Sequence, residues 1–553
     1  MKKTLAMLLS LMMVIGLFAG VTAVADSTEP TTISILGYER NISENTKFSE
    51  GEKQEVWNAL EKMLADNGVK CEFEIIADSD QYKTTIQTRL ASFYNIPDIF
   101  CGTLTQTTDL LDMADNELIL SMNDVLGTTK GDAYNFFFGG EGDKARQLIS
   151  DENGNFWWMP RIQINQLDGE EVGTSMAICI RKDWLDTLGM EMPTDLDSFT
   201  AALRAFQEND MNGNGVKDEV MVSDTSSFGT GMNLWFGMTT CDGTAVGVNI
   251  TNGTVETPWY SPAVKDYFTY VNSLVKEGLL SSDFIGTDTS SSALVSGNQV
   301  AACEYYPVGT YQEANVIAGG ADDAYYVGIM PFGAVDGVEG FTSEETPYLV
   351  YLRQCVSSNA SDKLEAVAKF YDTLYSEAGL QLMQWGVEGT MYTVNEDGTV
   401  KDNTAGMSFA DKAAKGWCGL DELARNFFPT VRHNERSIEI ATLADSPVTK
   451  GRTDKADYEY ATAHTTPRTP NDNSGYYALA TTEENEILAQ YTTDLTTASR
   501  EIAAKLSLGE YSVDDMDTYV QQLKDLGLDE ILTVRQAQLD RAEIGRASCR
   551  ERV

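Results

Sequence analysis

Three short stretches decide the fold: Thr32-Ile-Ser-Ile-Leu36, Val69-Lys-Cys-Glu-Phe-Glu-Ile75 and Ile96-Pro-Asp-Ile-Phe100. The first ends at Gly37 and reads as a strand. The second alternates apolar and polar side chains, the two-residue period of a strand. Between them, Lys53–Asn67 sets Val56, Leu60, Met63 and Leu64 on one helical face, and Gly68 supplies the stop. A second helix over Tyr82–Ser92 leads to the third strand. The order β-α-β-α-β implies a mostly parallel sheet with helices on its faces. Ligands of such sheets bind beyond the carboxyl ends of the strands. Here those ends are Gly37-Tyr38-Glu39-Arg40 and Cys101-Gly102-Thr103.

The same texture continues. Met176–Ile180 reads as an apolar strand, and Arg181–Gly189 as a short helix closed by glycine. Thr194-Asp-Leu-Asp197 opens a helix with a capping-box pattern, and Leu196, Phe199, Leu203 and Phe206 share its apolar face. Further helices are expected over Ala263–Glu277, Lys363–Ser376, Thr482–Leu506 and Val513–Leu526. There is neither an internal repeat nor a low-complexity linker, which favours two lobes over a string of small domains.

Both termini fall outside this pattern. Met1-Lys2-Lys3, an apolar run from Leu5 to Ala19 and Ala23-Val24-Ala25 form a signal peptide over residues 1–25. The mature chain is expected to start at Asp26. With no cysteine before Cys71, an N-terminal lipid anchor is not expected. Export then places the protein outside the cytoplasm, in the periplasm or at the cell surface. Residues 543–553, Glu-Ile-Gly-Arg-Ala-Ser-Cys-Arg-Glu-Arg-Val, resemble a translated sequencing adapter and read as a non-native tail.

Composition excludes more than it assigns. The chain of 553 residues carries 84 acidic against 40 basic side chains, a net charge of −44 with pI ≈ 4.2. Without Lys2, Lys3 and the tail's single net positive charge, −44 becomes −47 for the 517 residues from Asp26 to Ala542. Nucleic-acid binding, which needs clustered Lys and Arg, is not expected. The two histidines, His433 and His464, cannot make a three-histidine zinc site. Seven native cysteines, odd in number and without a C-x-x-C pair, indicate buried thiols rather than a disulfide framework.

One loop carries specific chemistry. Asp210-Met-Asn-Gly-Asn-Gly-Val-Lys-Asp-Glu219 places oxygen side chains at positions 1, 3, 5 and 9, with Gly215 at position 6. That is the front half of a calcium loop. Asp210, Asn212, Asn214 and Asp218 would supply side-chain oxygens, and Val216 its carbonyl. Position 12 is Met221, so the usual bidentate Glu is missing and Glu219 is the expected substitute. The plain alternative is an Asn-Gly turn that binds nothing.

Together these residues resemble the family 1 extracellular solute-binding proteins of ATP-driven sugar importers, with the alginate-oligosaccharide-binding and LplA-like branch the nearest. The segments that carry the likeness are Leu90-Ala-Ser with Pro97-Asp-Ile-Phe100, Arg181–Gly189 followed by Pro193-Thr194, and the loop from Asp210 to Glu219. Glu277-Gly-Leu-Leu280, Trp385-Gly-Val-Glu-Gly389, Tyr392 and Asp397-Gly398 also fit. The resemblance implies a class II periplasmic-binding-protein-like α/β fold of two lobes joined by hinge crossings, with the ligand in the cleft. It implies capture of a carbohydrate, delivery to ABC permease subunits, a structural calcium ion, a monomer and no bond chemistry. The lobes are expected to comprise 26–145 with about 300–365, and 146–299 with about 366–542, the second holding the calcium loop 210–219. The rival readings are a chemosensory or surface glycan-binding protein on the same fold, and a secreted glycoside hydrolase drawing on the abundant carboxylates.

A sugar site needs aromatic faces and planar polar groups. Trp57 and Trp184 lie on helical core patterns. Trp158, Trp235, Trp259, Trp385 and Trp417 fall at strand ends or in loops and are cleft candidates, with packing as the alternative. Tyr38, Arg40, Arg161, Tyr305 and Tyr306 follow strands and are candidates for the cleft mouth. Arg432 is open to two readings, an acidic sugar or a surface ion pair. A chain so acidic has no long-range attraction for a polyanion, so only local Arg or Lys could hold one.

Overall fold

In the computed structural model, the first strand, β1 (Thr31–Tyr38), buries its second half. Helix α1 (Glu55–Asp66) turns Val56, Trp57, Leu60 and Leu64 onto the sheet. Burying each such side chain stabilises the fold by about 1.5–3 kcal/mol. Gly68, at φ +75°, ends the helix in the left-handed conformation that a side chain would strain. β2 (Val69–Ile76) lies parallel to β1, from Thr31 opposite Val69 to Tyr38 opposite Ile76. Helix α2 (Ser79–Ser92) returns the chain to β3 (Ile99–Cys101), parallel to β1 on its other side. The β-α-β-α-β reading therefore holds. The structure describes residues 29–38, 55–102, 107–164, 166–167, 170–171, 177–228, 231–241, 245–287, 292–305, 326–341, 343–344, 348–395, 400–404, 427–433, 469–470 and 473–550, with a few single positions between.

Asp98 explains why a Pro-Asp pair stands before β3. Its side chain is fully buried and accepts hydrogen bonds from the Ser34 N–H (2.8 Å) and hydroxyl (3.0 Å). It also pairs with the Lys363 Nζ at 2.9 Å. A buried carboxylate is tolerated only when so matched.

The first sheet is completed from distant segments. After a short helix α3 (Asp143–Leu148) comes β4 (Met159–Ile164), every residue of which is buried. Across the second body run β5 (Ala177–Arg181), β6 (Val220–Val222), β7 (Val300–Tyr305) and β8 (Tyr326–Gly328). The chain then returns as β9 (Tyr348–Val356), antiparallel to β3 on one side and β4 on the other, and β10 (Val431–His433) adds the far edge. The strand order is β10-β4-β9-β3-β1-β2 in the first sheet and β8-β5-β7-β6 in the second.

Helices α4 (Lys182–Leu188), α5 (Leu196–Asn209) and α6 (Val264–Lys276) cover the second sheet. Asp195 caps α5 through a capping box with Ser198, as the sequence pattern implied. Helices α7 (Leu364–Tyr375) and α8 (Glu377–Gln384) cover the first sheet. Helices α9 (Thr482–Leu508), α10 (Met516–Asp525) and α11 (Leu528–Arg550) close the described chain.

Two large apolar cores result. The first draws on residues from Ile33 to Ile164, from Cys355 to Val431, and Ala542; the second on residues from Ile178 to Ile329 and from Leu495 to Ile531. This partition corrects the division read from sequence. Residues 300–305 and 326–328 belong to the second sheet, because β7 and β8 both pair with β5. Residues 159–164 and 364–375 belong to the first, through β9 and the packing of α7. The chain thus crosses between bodies after β4, after β8 and again before α9. The six described cysteines are free thiols. Burial pushes the Cys303 thiol up to about 12, which keeps it protonated and inert.

Candidate functional site

The strand register locates the carboxyl rims of the two sheets. Gln354 of β9 lies opposite Cys101, the last residue of β3, and the Gly102 N–H donates to the Arg353 carbonyl at 2.5 Å. Arg353 is therefore level with the carboxyl rim of the parallel strands, and the Tyr351–Arg161 pair of β9 and β4 lies beyond it. In the second body Tyr305 and Glu304, at the carboxyl end of β7, pair with Ala177 and Ile178 at the start of β5, just after the first crossing. The carboxyl rims of both sheets thus flank the crossings, the position where open α/β sheets bind ligands.

On the first rim, the Arg161 guanidinium lies 5.4 Å and the Arg353 guanidinium 5.3 Å from the Tyr351 ring centre. Both arginines are buried, at 4% and 7% exposure. On the second rim, Glu304 accepts from the Ser223 hydroxyl at 3.1 Å. Its carboxylate lies where a side chain at residue 231 would have to stand, so Gly231 makes room for it.

The expected site residues divide. Arg161 lies within β4 rather than after a strand, opposite Tyr351 of β9. Tyr38 ends β1 at the level of the rim, buried against Tyr82 with ring centres 5.9 Å apart. Trp259 is a core residue, contrary to expectation. It is 1% exposed, stacks on Phe268 and donates its indole N–H to the Ser499 hydroxyl at 2.9 Å. Trp235 is likewise packed in the second core, between Phe199 and Phe332. Trp158 and Trp385 are buried in and beside the first body, Trp385 near Tyr392. Trp57 and Trp184 are core residues as read. Trp417 is partly buried, with the Lys415 ammonium 4.6 Å from its ring centre. Arg40 and Tyr306 lie outside the described residues, as do the side chains of Tyr305 and Arg432. Tyr351 and Arg353 were missed. Their signal was the alternating run Tyr348-Leu-Val-Tyr-Leu-Arg-Gln-Cys-Val356, a strand with a guanidinium in its middle.

The second site is the loop after α5. Asp210 takes a left-handed conformation, φ +48°, at the end of that helix and accepts from the Gly215 N–H through Oδ2. Asp218 accepts from the amide groups of Asn212, Asn214 and Gln299. Burial opposes its ionisation, but these bonds prevail and hold its carboxyl below the usual range. Glu219 is 1% exposed and accepts from the Asn212 N–H. The Val216 side chain is exposed, so any part it plays is through its backbone. Asp210 Oδ1 and Glu219 Oε2 are both buried without a hydrogen-bond partner. Two orphaned carboxylate oxygens in one loop suit a hard cation. Among the described residues no three acidic, histidine or cysteine side chains form a tight cluster on their own. The oxygen set here is mixed, with asparagines between the acids.

No family model matches the chain. In sequence it is 26% identical over 234 residues to the lipoprotein LipO of Bacillus subtilis, covering 40% of this chain and 44% of that one. It is 25% identical over 303 residues to FusA of Streptococcus pneumoniae, a fructooligosaccharide ABC transporter substrate-binding protein, covering 53% and 54%. The sequence matches thus span about half the length of these curated relatives. The structure of FusA with kestose superposes with a TM-score of 0.70 at 18% identity, over 93% of this chain and 100% of that one. A human-milk-oligosaccharide-binding protein of Bifidobacterium longum superposes at 0.68 and 20% identity, over 93% and 99%. The fold is that of an extracellular solute-binding protein. FusA and the Bifidobacterium protein are both ABC-transporter solute-binding proteins, consistent with the resemblance to the family 1 extracellular solute-binding proteins. The solute-binding fold also superposes on an alginate-binding protein, AlgQ2, without calcium ion, and on an EF-hand mutant of FusA.

Proposed function

We propose that the chain captures a carbohydrate, an oligosaccharide, in the cleft between its bodies outside the cytoplasmic membrane and delivers it to the transmembrane subunits of an ABC permease. The observation that carries this is the placement of both carboxyl rims around the crossings. A solute touching both walls is held only when the bodies close, so binding favours the closed state. No bond is made or broken, and the working unit is a monomer. The signal peptide over 1–25 exports the chain. Among the described residues no helix is long and apolar enough to cross a membrane. The test is a panel of neutral and acidic oligosaccharides added to the purified full chain, with melting temperature and product release followed together. Stabilisation by one class without product is expected. Hydrolysis at catalytic rates, or no response to any carbohydrate, refutes the reading.

In this reading Asp210, Asn212, Asn214, Asp218, Glu219 and the Val216 carbonyl hold one calcium ion. The orphaned oxygens of Asp210 and Glu219 support it. The loop precedes β6 at the end opposite the carboxyl rim, and Gln299 binds it to the start of β7. The ion therefore braces the second sheet and takes no part in holding the sugar.

A further inference from the structure

We infer that the first body carries a second carbohydrate surface, remote from the cleft, where Phe93 and Tyr94 offer their rings to a neutral polysaccharide chain. Among the described residues these two are the most exposed large apolar side chains, at 72% and 78%. They stand side by side in the turn that follows α2. That turn leads into β3, which starts at Ile99, so it lies at the amino end of the parallel strands. Both carboxyl rims are elsewhere, and a glycan held here leaves the cleft open.

The backbone is strained to display them. Phe93 takes φ +53° and ψ +31°, the left-handed conformation that usually falls to glycine at a helix end, and Asn95 repeats it at φ +53°. The Phe93 N–H donates to the Leu90 carbonyl at 3.4 Å and the Tyr94 N–H to the Arg89 carbonyl at 3.3 Å, which pins the turn to the helix. Bulky residues held this way mark places where a side chain does what glycine could not.

The surroundings of the two rings select the partner. Asn95 and Arg89 border a depression of about 260 Å³, which Glu72 and Glu74 of β2 also line. Its charges are matched: Glu74 pairs with Arg89 at 2.7 Å, and Glu72 with Lys70 at 3.6 Å. In a molecule of net charge −44 this patch is internally neutral. Flat rings for C–H faces, with carboxylate, guanidinium and amide edges for hydroxyl groups, are the chemistry of an uncharged sugar. A stable protein interface buries at least about 1,000 Å². Two side chains fall far short of that, but they match one or two rings of a glycan strand.

The experiment is affinity electrophoresis of the full chain in native gels cast with a neutral β-glucan, a fructan or a xylan, with polygalacturonate as the charged control. Retardation by at least one neutral polymer is expected. Phe93→Ala and Tyr94→Ala each weaken it by about 2- to 10-fold, the worth of one aromatic contact. Both side chains are exposed, so the variants keep the wild-type melting temperature and its response to oligosaccharides. Free migration in every neutral gel, retardation by polygalacturonate alone, or equal retardation of wild type and the double variant overturns the inference and leaves capture standing. A dimer that forms with rising concentration and is lost in the double variant overturns it as well, by giving the rings to a second copy. A chain that answers no oligosaccharide, yet is retarded through both rings, refutes capture and leaves this surface standing.

Discussion

Trp259 and Arg161 entered with the same credentials, a binding-prone side chain near the end of a strand or loop, and the fold used them differently. Trp259 fills the second core with its indole N–H satisfied. Trp259→Ala should therefore lower unfolding free energy by about 3–5 kcal/mol in denaturant titration. Tyr351→Ala, at the rim, should weaken sugar binding with a smaller loss of stability. Equal loss of stability in both variants would mean that Tyr351 is only packing. Residue type alone could not separate these roles, because a tryptophan in a loop of the sequence is as often tucked beneath the loop as displayed on it. Arg161 became informative only through its partner, Tyr351, 190 positions away in the chain and directly opposite in the register.

At the scale of elements, the helices and first strands were legible because each follows from a local period and a local stop. The loop from Asp210 to Glu219, proposed to hold calcium, was legible for the same reason: its oxygen side chains fall within ten residues. Chelation is expected to lower the melting temperature. The lost stabilisation is about 2.7 kcal/mol when free calcium exceeds its dissociation constant a hundredfold. Glu219→Gln and Asp218→Asn should shrink that shift together. An unchanged melting curve with chelator would identify the loop as an Asn-Gly turn held by its own amides. Strand β9 was the element not read, although its alternation is plain, since nothing local says that it inserts between β3 and β4.

For the whole molecule, two lobes could be foreseen and their borders could not. A border is defined by which strands pair, and β7 and β8 pair with β5 across more than a hundred residues of sequence. Closure is a property at this scale. Small-angle scattering should show a smaller radius of gyration with saturating sugar than without, and an unchanged radius would exclude hinge closure as the response. To move an open population of 99:1 to 1:99 the sugar must favour the closed state by about 10⁴-fold. The insertion of β9 has a temporal consequence as well. A ribosome must complete residue 356 before the centre of the first sheet can form, and residue 531 before the second core is whole. Chains dominated by such distant pairings fold slowly. The nascent protein thus spends most of its synthesis without either finished core, its apolar strands exposed until their distant partners emerge.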